Sequence, residues 1–156
     1  MQWMMETLYK RRKLIFGIYC VAMAAMFLIT RGSTRAELQE YQNNFGMLPH
    51  NYIPFQTIAM YLGRLPSSFA IWNLAGNIMA LIPFGILLPW SMDRCRQFRY
   101  FFICSAVICL GIEVFQRITL TGSFDIDDVI LNVVGCCAGY AVYCGIRKLR
   151  KNKRHG

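Results

Sequence analysis

Residues 122–139 read GSFDIDDVILNVVGCCAG, and the fold turns on what the acids in this stretch are doing. Asp125, Asp127 and Asp128 head a run that continues to Ile146 with no further charge, and Asn132 interrupts its apolar part. An uncharged helix of that length is a candidate to cross a bilayer, whose hydrocarbon core takes about 20 helical residues. Carboxylates are costly beside lipid, so three of them at the mouth of such a helix need a reason.

The rest of the chain supplies the same solvent. Its 156 residues, enough for one domain, are 56% hydrophobic and only 16% charged. Soluble chains run at roughly 45–50% apolar. The charges fall between long uncharged runs: Leu14–Thr30, Phe69–Trp90, Tyr100–Ile112 with a helical continuation towards Leu120, and Val129–Ile146. We read an all-α, polytopic membrane protein forming a single domain over 1–156. About four transmembrane helices are expected at 14–30, 69–90, 100–120 and 126–146, with an outer loop at 31–68 and a basic tail at 147–156.

Basic residues orient the bundle. Lys10–Lys13 precede the first span, Arg94, Arg96 and Arg99 fill the loop after the second, and six more lie in the tail, so 13 of the 17 share one side. Both termini are therefore expected in the cytoplasm, and the net charge of +9 reflects topology and contact with anionic lipid rather than nucleic acid. Ala22-Met23-Ala24 weakly resembles a signal-peptide cleavage site, but the apolar stretch before it is short, and an uncleaved anchor is preferred. None of the seven cysteines falls in the expected outer segments, and no Cys-x-x-Cys pattern suggests zinc.

Within the outer loop, Ile58, Tyr61, Leu62 and Leu65 are spaced i, i+3, i+4 and i+7, one apolar helical face on a segment too short to span. An interfacial or re-entrant segment suits that pattern.

The polar residues of the spans lie at matched depths. Asn77, Glu113 and Asn132 are 13, 13 and 14 residues from Trp90, Tyr100 and Ile146. At 1.5 Å per residue each is about 20 Å above the inner boundary. Asn73, Gln116, Arg117 and Asp128 lie about one turn further out. Within each helix these residues are spaced at three, four or seven, so each set forms one face, and the simplest packing turns the three faces together. Asp125 and Asp128 would also serve as caps of the last helix. A cap does not explain Glu113, which sits about 10 Å below the outer surface of a ~30 Å core. Gly76 with Ala80, and Gly135 with Gly139, are four apart and would let helices approach closely. Pro83 and Pro89 suggest a bend in the second span.

Four motifs in order resemble the VanZ family: NYIPF (Asn51–Phe55), NLAGNIMALIPFG (Asn73–Gly85), EVFQ (Glu113–Gln116) and GSFDIDDVILNVVG (Gly122–Gly135), covering about residues 45–146. Ser123 departs from the pattern where many members carry a basic residue. The resemblance implies a bacterial cell-membrane protein with an envelope role, that of the family's namesake being low-level resistance to the lipid-tailed glycopeptide teicoplanin.

Two functions are weighed. In the first, Asn51, Asn73, Asn77, Glu113, Gln116, Arg117, Asp125, Asp127, Asp128 and Asn132 bind an envelope lipid, a cell-wall precursor or a lipid-tailed glycopeptide in the outer leaflet. In the second, the chain is a membrane-embedded enzyme acting on a lipid-linked (pyro)phosphate. Glu113 or Asp128 would then supply the acid or base, and Glu113, Asp125 and Asp128 would be ligands for Mg2+ or Ca2+. Binding is favoured over catalysis, because no nucleophile motif is present and His50 and His155 lie in the loop and the tail. No polar chain crosses the inner leaflet, so a proton relay through this chain alone is not expected.

Overall fold

A computed structural model describes residues 2–30, 39–40, 42–44, 50–119 and 121–152. Most of the expected outer loop before His50, together with Leu120 and the last four residues of the tail, lies outside them. The elements run α1 (Gln2–Thr30), β1 (His50–Asn51), α2 (Gln56–Leu62), α3 (Ser68–Ser91), a 3-10 turn (Asp93–Arg96), α4 (Phe98–Ile118), β2 (Phe124–Asp125) and α5 (Ile126–Asn152). The chain is all-α but for one addition: β1 and β2 pair in parallel, His50 with Phe124 and Asn51 with Asp125. Two residues per strand give no hydrophobic alternation, which is why nothing in the sequence announces them.

Among the described residues, α3, α4 and α5 are each long and apolar enough to cross a membrane. The expected first span, 14–30, forms the second half of α1, which begins well before it and carries Lys10–Lys13 on helix.

The bundle is built around α3 and α5. A Cβ placed at Gly135 would collide with the Ile78 carbonyl, one at Gly139 with the Ile82 carbonyl, and one at Gly85 with the Cys136 carbonyl. Three glycines on two helices thus bring the backbones into direct contact, the approach that small residues permit where lipid offers no hydrophobic drive. Gly135 and Gly139 are the expected pair. Gly76 is not part of the interface, since nothing lies within 4 Å of where its side chain would be. Its place is taken by Gly85, which stands between Pro83 and Pro89 in a helix that continues through both prolines. Leu81, Leu88, Phe101, Cys109 and Cys136 fill the core, and Tyr140 stacks on Phe101 at 4.4 Å while its hydroxyl donates to the Arg96 carbonyl at 2.7 Å. Helix α1 lies against α3 through Phe16, 5.6 Å from Phe84, and through Tyr19, whose hydroxyl donates to the Ala80 carbonyl at 3.1 Å. All seven cysteines are free.

Helix α2 buries no residue completely. Of its expected apolar face, Ile58 and Tyr61 are half-buried towards the bundle, and Leu62 and Leu65 are exposed alongside Tyr52, Ile53 and Phe55.

Candidate functional site

The N-terminal end of α2 meets the head of α5. Asp127 is fully buried, and its two carboxylate oxygens take three backbone N–H groups: Phe55 at 2.5 Å, Thr57 at 2.7 Å and Ile58 at 3.0 Å. These are the amides at the start of α2, which have no partner inside their own helix. Phe55, the residue before that helix, is left-handed at φ 68° and makes no side-chain cap of its own. Asp127 therefore caps α2 from another helix, with the carboxylate placed where the amide dipoles favour negative charge.

Asp125 has two duties. Its Oδ1 accepts the Asp127 N–H at 2.8 Å, capping α5, and also the Asn51 side-chain amide at 3.0 Å. Its Oδ2 accepts the Thr57 hydroxyl at 2.7 Å. Asn51 closes the ring by donating to Thr57 Oγ1 at 3.0 Å, while its own Oδ1 accepts the Ile53 N–H at 2.9 Å. The expectation that Asp125 would cap the last helix is met in this geometry, but the cap is shared with an outside segment. Thr57 is the member that the sequence did not single out. Its hydroxyl pairs with the side chains of Asn51 and Asp125, but a lone threonine in the expected outer loop carries no spacing signal that would point to it.

Asp128 faces the other way and accepts the Asn77 side-chain amide from α3 at 2.5 Å. Glu113 of α4 is buried, and its Oε2 accepts the Asp125 N–H at 3.4 Å. Asn77 and Glu113 thus both reach the head of α5, at different residues. Asn73 does not join them by hydrogen bonding: its side chain donates back to Phe69 of its own helix at 2.8 Å.

Beside this knot the hydrogen bonds run out. Gln116 is only 2% exposed, and neither its amide nitrogen nor its amide oxygen has a hydrogen-bond partner among the described residues. Its main-chain carbonyl, by contrast, is crowded by the Thr121 N–H at 3.0 Å, the Gly122 N–H at 3.3 Å and the Thr121 hydroxyl at 3.5 Å. The buried Oδ1 of Asn132 on α5 and Nη1 of half-buried Arg117 are likewise unpartnered among those residues. Gln116 lines an apolar groove of about 410 Å3 walled by Ala24 of α1 and by Val107, Ile108, Gly111 and Phe115 of α4.

Among the described residues no group of three or more His, Cys, Asp or Glu side chains that could hold a metal ion is found. Asp125 and Asp127 commit their oxygens to amides and hydroxyls.

A family model described as VanZ/LLP1 matches residues 16–148. No curated protein and no solved structure matches the chain.

Proposed function

The chain belongs to the VanZ/LLP1 family, and from that membership we propose that it is a four-pass protein of the bacterial cell membrane that binds a lipid-tailed envelope molecule in the outer leaflet. Both termini are cytoplasmic on this reading, the fourth span is the second half of α1, and α2 lies in the outer interface. The ligand is an envelope lipid, a cell-wall precursor or a lipoglycopeptide of the teicoplanin type, against which the chain gives low-level protection.

The observation that carries the reading is the Gln116 side chain. A buried amide with neither end paired costs about 1–3 kcal/mol per group. Inside a membrane helix a leucine would fill the position without that cost. Gln116 lines an apolar groove of about 410 Å3, and Asn132 on α5 and Arg117 on α4, which are not among the groove's lining residues, carry further unpaired groups. A ligand with a polar head and a lipid tail satisfies both features at once. The acids at the head of α5 hold α2 over the bundle, so Asn51, Asp125 and Asp127 act by positioning, and ligand contact falls to Gln116, Arg117 and Asn132 with Glu113 beside them. The enzyme alternative would rest on Glu113 or Asp128 as acid or base.

Drug susceptibility tests the reading. Expression in a teicoplanin-sensitive host should raise the inhibitory concentration of teicoplanin but not that of its core stripped of the acyl tail, and Gln116→Leu should remove the gain. Equal protection against both compounds, or an unaffected Gln116→Leu variant, would count against the reading. Impermeant thiol reagents on single cysteines at Asn43 and Asn152 test the orientation, with only the former labelled in intact cells.

A further inference from the structure

The opposite end of the bundle carries a second cavity, of about 660 Å3, that the outer site does not use. Five cationic side chains line it: Arg12 from α1, Arg96 from the 3-10 turn, and Arg147, Arg150 and Lys151 from the end of α5. No acidic residue is among the described residues that line it; Arg96 also meets Asp93 Oδ1 at 2.6 Å. Its walls are apolar, formed by Ile15, Ile86 and Ile146, with Trp90 beneath the Arg12 guanidinium at 5.5 Å.

Basic residues at this end are expected from topology alone, and Arg150 and Lys151 also complement the C-terminal dipole of α5. Neither effect explains why cations from three separate elements converge on one crevice, where like charges repel. Arg96 also buries its Nε without a hydrogen-bond partner among the described residues. An anion between these groups would relieve the repulsion, and the apolar walls would suit hydrocarbon. We propose that this crevice is a binding site for one anionic phospholipid, its phosphodiester held by Arg12, Arg147 and Arg150 and an acyl chain laid along Ile15, Ile86 and Ile146. Basic pockets between membrane helices at the cytoplasmic face select such headgroups. A bound lipid would tie Arg12 and Ile15 of α1 to the end of α5.

Trp90 reports on the site directly. The full chain carrying Trp3→Phe and Trp72→Phe is reconstituted in phosphatidylcholine vesicles, and Trp90 fluorescence is quenched with brominated phosphatidylglycerol or brominated phosphatidylcholine. Half-quenching is expected at about tenfold lower mole fraction of the brominated anionic lipid. Arg147→Gln with Arg150→Gln should erase that preference, and Arg12→Gln should weaken it. Arg99→Gln removes a charge near the same end but outside the crevice and should preserve it. Equal quenching by the two lipids, a preference that survives the double substitution, or an equal loss in Arg99→Gln overturns the site. Abolition of the preference by millimolar inorganic phosphate would assign the crevice to a free anion and overturn the lipid assignment.

Discussion

The carboxylate of Asp127 accepts the backbone N–H of Phe55, 72 residues earlier in the chain, at 2.5 Å, and in doing so caps a helix that is not its own. Two further amides of α2 share the same carboxylate. The acids at the head of α5 therefore have separate roles. Asp127 holds α2, Asp125 caps α5 and clamps Asn51 and Thr57, and Asp128 ties in α3 through Asn77.

Asp127→Asn should release α2. The amide keeps one acceptor oxygen but turns an NH2 group towards backbone donors and removes the charge, so a loss of about 2–3 kcal/mol is expected. Hydrogen–deuterium exchange in nanodiscs should show residues 55–62 losing protection while α3 and α4 keep theirs. Unchanged exchange in that segment would mean that apolar contact with the interface, not the carboxylate, holds α2.

The glycines make a sharper contrast. Gly139→Ala forces a Cβ against the Ile82 carbonyl, a backbone atom that cannot swing aside, and overpacking of this kind costs about 1–3 kcal/mol. Gly76→Ala meets open space and should stabilise the helix by about 0.5–1 kcal/mol. Thermal unfolding of the two variants in detergent should move in opposite directions.

The long apolar helices α3, α4 and α5 are legible in the sequence because lipid demands long runs without charge, and the α3–α5 contact because small residues repeat at helical spacing. Legibility fails where the partner is a backbone group. Asn77 and Asp128 are polar side chains on apolar helices, so each is visible in a sequence, although the spacing puts Asp128 about a turn further out than Asn77 and the two nevertheless pair. Asp127 binds main-chain amides of Phe55, Thr57 and Ile58, which any sequence possesses, and its role differs from that of Asp128 although the two are adjacent. Gly76 and Gly85 illustrate the same limit: both lie on α3, and only the rotation of the helix in the assembled bundle decides which one meets α5.

Cys95, buried in the turn between α3 and α4, offers a pH test. Burial pushes its thiol up to about 11. The folded protein therefore favours the neutral thiol, and the associated stability is intact below the unfolded value of about 8.5 and lost as pH rises through the window up to 11. Wild type should lose more stability across that window than Cys95→Ala, and maleimide at neutral pH should modify Cys95 only after unfolding. Equal pH profiles for the two proteins would show that the thiol ionises equally in the folded and unfolded states.

Gln116→Leu separates stability from function. Replacing a buried, unpaired amide with an apolar side chain of similar volume should raise the unfolding temperature of the ligand-free protein, by an amount corresponding to about 1–3 kcal/mol, while protection against teicoplanin falls. Structural residues lose stability when replaced; residues kept for a ligand gain it. A destabilised Gln116→Leu protein would place the amide in the fold rather than in the site.

The most direct test of the outer-leaflet site is photo-crosslinking from the groove itself. Phe115 lines it beside Gln116 and is exposed, so a benzophenone amino acid at this position samples whatever lies there in living cells. Mass spectrometry of the adducts should show a lipid-tailed envelope molecule enriched over bulk phospholipid, competed by teicoplanin and lost when Gln116→Leu is added. Adducts that are bulk phospholipid alone, in the same yield with and without the Gln116 amide, would contradict a binding site there.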